Sequence, residues 1–187
     1  MGEFDGKVAI VSGSARGIGR AIAERLAAGG AHVVVSYTRA GGAAQKLVAA
    51  IERAGGRAIA VRADVSRLDD VRRLFAIADR FGGADIVVAN GRVVLGTFFT
   101  LREAARRIRD GGRIITLSAA ARILALVRVL AAELAARSVT ANIVSPGVGE
   151  THTLRTPVAV ADVVAFLVSP SARWLTAQNI QASGGLA

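Results

Sequence analysis

Short runs of β-branched and small apolar residues return along this chain at regular intervals, each followed by a stretch of helical period. Val8-Ala9-Ile10-Val11, His32-Val33-Val34-Val35, Ala58-Ile59-Ala60-Val61, Ile86-Val87-Val88-Ala89, Arg113 to Leu117 and Thr140 to Val144 read as strands, with Asn179 to Ala182 as a last one. Their apolar character is continuous rather than alternating, which marks strands buried on both faces, as in a parallel sheet. The intervening segments predict helices over 17–28, 43–53, 66–81, 97–109, 119–136 and 161–167. Gly29-Gly30, Gly55-Gly56 and Gly111-Gly112 supply helix stops. Ser66, with Asp69 three residues on, reads as a capping pair. Strands alternating with helices across short connections give a doubly wound α/β sheet, and 187 residues hold one such domain.

Composition narrows the chemistry. Cysteine is absent, which excludes disulfides, zinc–thiolate sites, iron–sulfur clusters and a cysteine nucleophile. The stretch from Ala119 to Ala136 is apolar but contains Arg122, Arg128 and Glu133, so it reads as a buried helix rather than a membrane span. The opening MGEFDGKVAI has no basic start and no cleavage site, and a cytoplasmic protein is expected. The formal charge is +10, with 24 Lys+Arg against 14 Asp+Glu. Those cations are scattered and aromatics are only 4%, so there is little to stack on bases and no nucleic-acid partner is expected. Arginine in place of lysine fits a GC-rich genome or a designed sequence better.

The first strand runs into Ser12-Gly13-Ser14-Ala15-Arg16-Gly17-Ile18-Gly19. Glycines here permit a tight turn, close approach of backbone to a pyrophosphate, and close packing of the next helix on the strand. The helix that follows points free N–H groups and its positive dipole end at an anion. The context of strand, loop and helix is what gives the glycine pattern its weight.

With Ser12 in place of threonine, this loop resembles the Thr-Gly-x-x-x-Gly-x-Gly of the short-chain dehydrogenases/reductases, matched at Gly13, Gly17 and Gly19. Asp64-Val65 after the third strand is similar to the family's adenine-contacting Asp-Val pair. Asn90-Gly91 after the fourth strand resembles its Asn-Ala-Gly motif without the alanine. Pro146-Gly147, with Thr151 four residues beyond the glycine, is similar to the Pro-Gly-x-x-x-Thr beside the nicotinamide. The likeness runs over nearly the whole chain. It implies a Rossmann-type fold of strand order 3-2-1-4-5-6-7, a nicotinamide cofactor held by these residues together with Ser14, Arg16 and Ile18, and a small-molecule carbonyl or alcohol substrate. It also implies a homodimer or homotetramer, for which Ile123, Leu126, Val127 and Leu130 offer apolar surface if they do not pack on the sheet.

An NAD-type site carries an acidic residue about 20 residues beyond the loop, on the ribose 2′-hydroxyl. Here Tyr37 stands at that place, followed by Thr38 and Arg39. A hydroxyl and a guanidinium suit a 2′-phosphate. Arg16 lies just before a helix N-terminus, where a cation is unfavourable unless an anion is beside it. NADP(H) is therefore the expected cofactor.

The family's reaction uses a serine after the fifth strand and a Tyr-x-x-x-Lys on the next helix. This chain has one tyrosine, Tyr37, and two lysines, Lys7 and Lys46, so that motif is absent. The family's catalytic serine falls at Ala119, and Ser118 is the remaining catalytic candidate, competing with a plain strand-end capping role. His152, near Glu150, is more simply a solvated loop residue than an acid/base or metal ligand. Connections are short from Asn90 to Gly96, from Ser118 to Leu124 and from Thr151 to Pro157, all on the active-site side of the sheet. Two functions are expected from this: an NADP(H)-dependent oxidoreductase acting on a carbonyl/alcohol pair, or an NADP(H)-binding protein without that chemistry.

Overall fold

In the computed structural model, which describes residues 2–91, 93–118, 120–146 and 155–184, the β-branched runs line up as one parallel sheet. The strands are β1 (Val8–Val11), β2 (His32–Tyr37), β3 (Arg57–Arg62), β4 (Ile86–Ala89), β5 (Arg113–Leu117), β6 (Thr140–Pro146) and β7 (Asn179–Ala182). Their order is β3-β2-β1-β4-β5-β6-β7, as expected. The helices are α1 (Gly17–Ala28), α2 (Gly41–Arg53), α3 (Leu68–Asp79), α4 (Val94–Arg107), α5 (Ala121–Glu133) and α6 (Arg155–Val168).

Because successive side chains in a strand point to opposite faces, the sheet carries a core on each side. Ala9, Val11, Val33 and Val35 pack against Ile22 and Leu26 of α1, Leu47 and Ile51 of α2, and Val164 of α6. Val8, Ile10, Val34 and Val87 pack against Leu74 and Phe75 of α3, Leu101 of α4, and Val127 of α5. Burying both faces is what lets the strands be apolar throughout. Ile123, Val127 and Leu130 belong to this second core, while Leu126 is half-buried. The sheet therefore takes most of the apolar surface considered for subunit contact.

Several element ends differ from the sequence expectation. β2 and β6 each run two residues further, through Tyr37 and Pro146, because the neighbouring strands continue to pair there. α6 starts at Arg155 rather than Ala161, since Pro157 lies in its first turn, where a proline leaves no hydrogen bond unmade. The Ser66–Asp69 capping pair does not form. Ser66 instead donates its N–H (3.0 Å) and its hydroxyl (2.7 Å) to Asp64 Oδ1, a nearer acceptor, and α3 begins after Arg67. His32 packs against Phe81 with ring centroids 3.8 Å apart and the planes tilted by 43°.

The order places β1 between β2 and β4, so the chain turns outward in both directions from β1. At such a switch point the loops after neighbouring strands part and leave a crevice at the carboxyl ends.

Candidate cofactor groove and adjoining pocket

The loop after β1 is tied down from both sides. On the β2 side, Gly13 donates its N–H to Ser36 Oγ (3.0 Å) and Ser14 donates its N–H to Ser36 O (3.0 Å). Ser14 Oγ donates to Val11 O (2.7 Å) and accepts from Ser36 N–H (3.1 Å). On the β4 side, Asn90 donates its N–H to Ser12 Oγ (2.8 Å) and its Nδ2 to Ser12 O (3.2 Å) and Gly13 O (3.1 Å). Ser14 is wholly buried, so its side chain shapes the loop from beneath rather than facing the groove. Ser36 was not singled out by the sequence; a serine at a strand end carries no pattern of its own.

Two glycines of the loop face packed protein and one faces open space. A Cβ on Gly13 would lie 2.7 Å from Asn90 O, and Gly13 also has φ +59°. A Cβ on Gly19 would overlap Asn90 Nδ2 and lie 2.7 Å from Gly13 O. At Gly17, φ is +55° and a Cβ would meet nothing within 4 Å. Arg16 precedes α1 with extended backbone, and no side chain caps the helix. The first N–H groups of α1 lack intrahelical partners and open toward that space. This cradle fits a pyrophosphate.

The open space is a groove of 890 Å³ along the carboxyl ends of β1, β2 and β3. Arg16, Gly17, Ile18, Tyr37, Thr38 and Asp64 line it, with Val65, Asn90, Gly91 and Pro157. It brings together most of the residues expected to hold a cofactor. Tyr37 pairs in register with Arg62 and lays its ring over Gly41 at the start of α2. Arg39 lies beyond the groove's edge, in a neighbouring cavity that shares Thr38 and Asp64. The two hydrogen bonds from Ser66, with Arg67 and Arg39 nearby, hold the Asp64 carboxyl below its ordinary range. It is therefore an acceptor at neutral pH.

Ile18, Asn90 and Gly91 also border a second pocket of 380 Å³ toward β5 and β6. Its walls are largely apolar: Val94, Leu117, Ala120, Ile123 and Pro146, with Thr97 and Ser118 as hydroxyls. Ser118 Oγ accepts from Ala120 N–H at 3.1 Å, a capping contact, and its carbonyl accepts from Ser145 Oγ. Among the described residues the Ser118 hydroxyl donates no hydrogen bond, and it lines the pocket. Neither lysine reaches this pocket. Lys7 pairs with Asp85 (3.3 Å) at the opposite, amino-terminal end of the central strands, and Lys46 lies within α2. Ala119, Gly147, Glu150, Thr151 and His152 lie outside the described residues. Among the described residues no group of three or more His, Cys, Asp or Glu side chains could hold a metal ion, and no helix is long and apolar enough to cross a membrane.

A family model for short chain dehydrogenase matches residues 7–108, from the start of β1 through α4. This chain belongs to the short-chain dehydrogenase family. It is 36% identical to an uncharacterized oxidoreductase of Methylorubrum extorquens, with all of both chains covered. That alignment runs over 247 positions against 187 residues here, so part of the relative's length, lying between aligned segments, has no counterpart. Among solved structures, a short chain dehydrogenase from Burkholderia cenocepacia in complex with NADP superposes with a TM-score of 0.90 at 30% identity, covering 98% of this chain and 99% of the other. The angucycline C-6 ketoreductase LanV with bound NADP gives a TM-score of 0.86 at 32% identity, covering 99% and 97%.

Proposed function

We propose that this protein is an NADP(H)-dependent oxidoreductase of the short-chain type, acting on a small-molecule carbonyl/alcohol pair. One observation carries the cofactor reading. The β1–α1 loop is packed solid at Gly13 and Gly19 and open at Gly17, directly over an uncapped helix N-terminus. That shape admits a diphosphate and supplies its hydrogen bonds. Asp64 and Val65 then flank the adenine, and Thr38, Arg39 and Arg16 supply a hydroxyl and two cations for a 2′-phosphate. Ile18, Asn90, Gly91 and Pro146 lead to the nicotinamide end; Gly147 and Thr151, outside the described residues, are assigned to it by the family resemblance alone. The NADP-bound relatives support the same choice.

When bound, NADPH supplies a hydride. The chain's own part is to position the carbonyl in the apolar pocket, exclude water and deliver a proton. Ser118 Oγ is the hydroxyl on that wall able to donate. A well-placed general acid is worth about 10²–10⁴ in rate, and the family's tyrosine and lysine are missing here. Slow turnover, lower than that of a complete family member by roughly this factor, is the consequence. The same absence favours a second reading, NADP(H) binding without reduction.

A panel of ketones, monitored by NADPH absorbance alongside NADPH binding, separates the two. Turnover that Ser118→Ala abolishes supports the reductase. Tight binding with no turnover on any ketone leaves the binder. No binding at all rejects both.

Val94, Leu95 and Phe98 on α4 and Val129 on α5 stay exposed and fit a homodimer or homotetramer. Light scattering on the purified chain tests this; a monomer at micromolar concentration contradicts it.

A further inference from the structure

The cavity beside the adenine end of the groove has a volume of 480 Å³ and joins it through Thr38 and Asp64. Four arginines line it: Arg39 after β2, Arg62 at the end of β3, Arg67 before α3 and Arg73 within α3. They converge because β3 pairs with β2, which sets Arg62 opposite Tyr37, two residues before Arg39.

The charges in this cavity do not cancel. Arg73 is paired with Asp70 (3.2 Å) and also donates to Arg62 O. Asp70 is fully engaged, since its other oxygen accepts from Asp64 N–H at 2.8 Å. Asp69, the other acid in the first turn of α3, pairs with Arg72. Among the described residues, Arg39, Arg62 and Arg67 have no carboxylate within ion-pair distance. The remaining carboxylate is Asp64. Three guanidiniums therefore face one carboxylate, leaving an excess of two positive charges. A phosphate monoester carries roughly −1.5 to −2 at neutral pH, which matches that excess.

We propose that Arg62 and Arg67 complete the 2′-phosphate site, so that selection of NADP(H) rests on these two arginines as well as on Arg16 and Arg39. This rests on the NADP(H) reading above. Neither residue belongs to a recognisable sequence motif. Both are exposed, so the guanidiniums are free to close on a ligand and their removal leaves the core untouched.

The test uses adenosine 2′,5′-bisphosphate and AMP, which differ only in the 2′-phosphate, titrated calorimetrically into wild type and variants. Arg62→Ala and Arg67→Ala should each lower the preference for the bisphosphate about three- to tenfold, the range between an exposed ion pair and a charge-assisted hydrogen bond, with AMP affinity nearly unchanged. Arg67→Lys should keep part of the preference. Arg128→Ala, on the exposed side of α5, should keep all of it. If Arg39→Ala erases the preference while Arg62→Ala and Arg67→Ala retain it, the proposal is wrong and the NADP(H) reading stands. If Arg128→Ala lowers it equally, the effect belongs to the overall charge and the proposal is wrong. If wild type does not distinguish the two probes, the NADP(H) reading itself fails and the proposal with it.

Discussion

Gly19→Ala sets two physical effects against each other. Gly19 sits in the first turn of α1 with an ordinary helical backbone, so alanine there should favour the helix by about 1 kcal/mol. The new Cβ, however, would overlap Asn90 Nδ2, lie 2.7 Å from Gly13 O and 3.0 Å from Ser14 Cα. Two of those neighbours are backbone of a loop held by Ser36 and Asn90, so they cannot rotate away. Overpacking of this kind costs about 1–3 kcal/mol. The net expectation is a loss of about 0–2 kcal/mol in stability, because the helical gain offsets part of the clash. The Asn90 bonds to Ser12 O and Gly13 O are the parts that yield. Displacing them moves the N–H groups meant for the diphosphate, so NADPH affinity should fall by tenfold or more, equivalent to about 1.4 kcal/mol. Urea denaturation reads the first quantity and NADPH fluorescence titration the second. Gly42→Ala is the control: it lies in the first turn of α2, a Cβ there meets nothing within 4 Å, and only the helical gain should remain. A Gly19→Ala protein that gains stability as Gly42→Ala does, and binds NADPH as wild type does, would refute the close-approach argument.

Other consequences follow from the same contacts. Ser36→Ala removes the acceptor for Gly13 N–H and should cost about 1–3 kcal/mol in urea denaturation, with weaker NADPH binding. Asp85, buried at the amino-terminal end of the central strands, accepts from Val8 N–H at 2.9 Å and pairs with Lys7 and Arg109. Asp85→Ala should therefore destabilise by about 1–3 kcal/mol while leaving cofactor affinity per folded molecule unchanged. Burial, then the nearby Arg57, lowers the pKa of His32 below its ordinary 6.5. The unfolded chain then binds the proton more readily, so this contribution to stability is lost as pH falls through 6.5 toward the folded value. Comparing His32→Gln with wild type in thermal melts from pH 8 to pH 5 should show the variant losing less; parallel losses would contradict this.

The sheet and the phosphate loop were legible in the sequence because both leave local marks. Strands buried on two faces give continuous β-branched runs such as Ile86 to Ala89, and the loop after β1 needs its glycines at fixed spacing. What was not legible depends on which elements become neighbours. Ser36 matters only because β2 pairs beside β1, and Arg62 approaches Arg39 only because β3 pairs beside β2. Ser66 fits a helix cap by its spacing to Asp69, but Asp64, two residues back, competes for its donors. The sequence places the start of α6 at Ala161, whereas the helix begins at Arg155, with Pro157 harmless in its first turn. Ser118, the remaining catalytic candidate, lines the second pocket and also makes the capping bond with Ala120 that the sequence favours for it.

A hydroxyl and arginines where an NAD site carries a carboxylate should make the groove hold NADP(H) in preference to NAD(H). The direct test is a calorimetric titration of the purified protein with NADPH and, separately, with NADH at matched ionic strength. We expect saturable one-to-one binding of NADPH, at least about tenfold tighter than NADH, a difference of roughly 1.4 kcal/mol. Equal affinities, or no saturable binding of either, would contradict it.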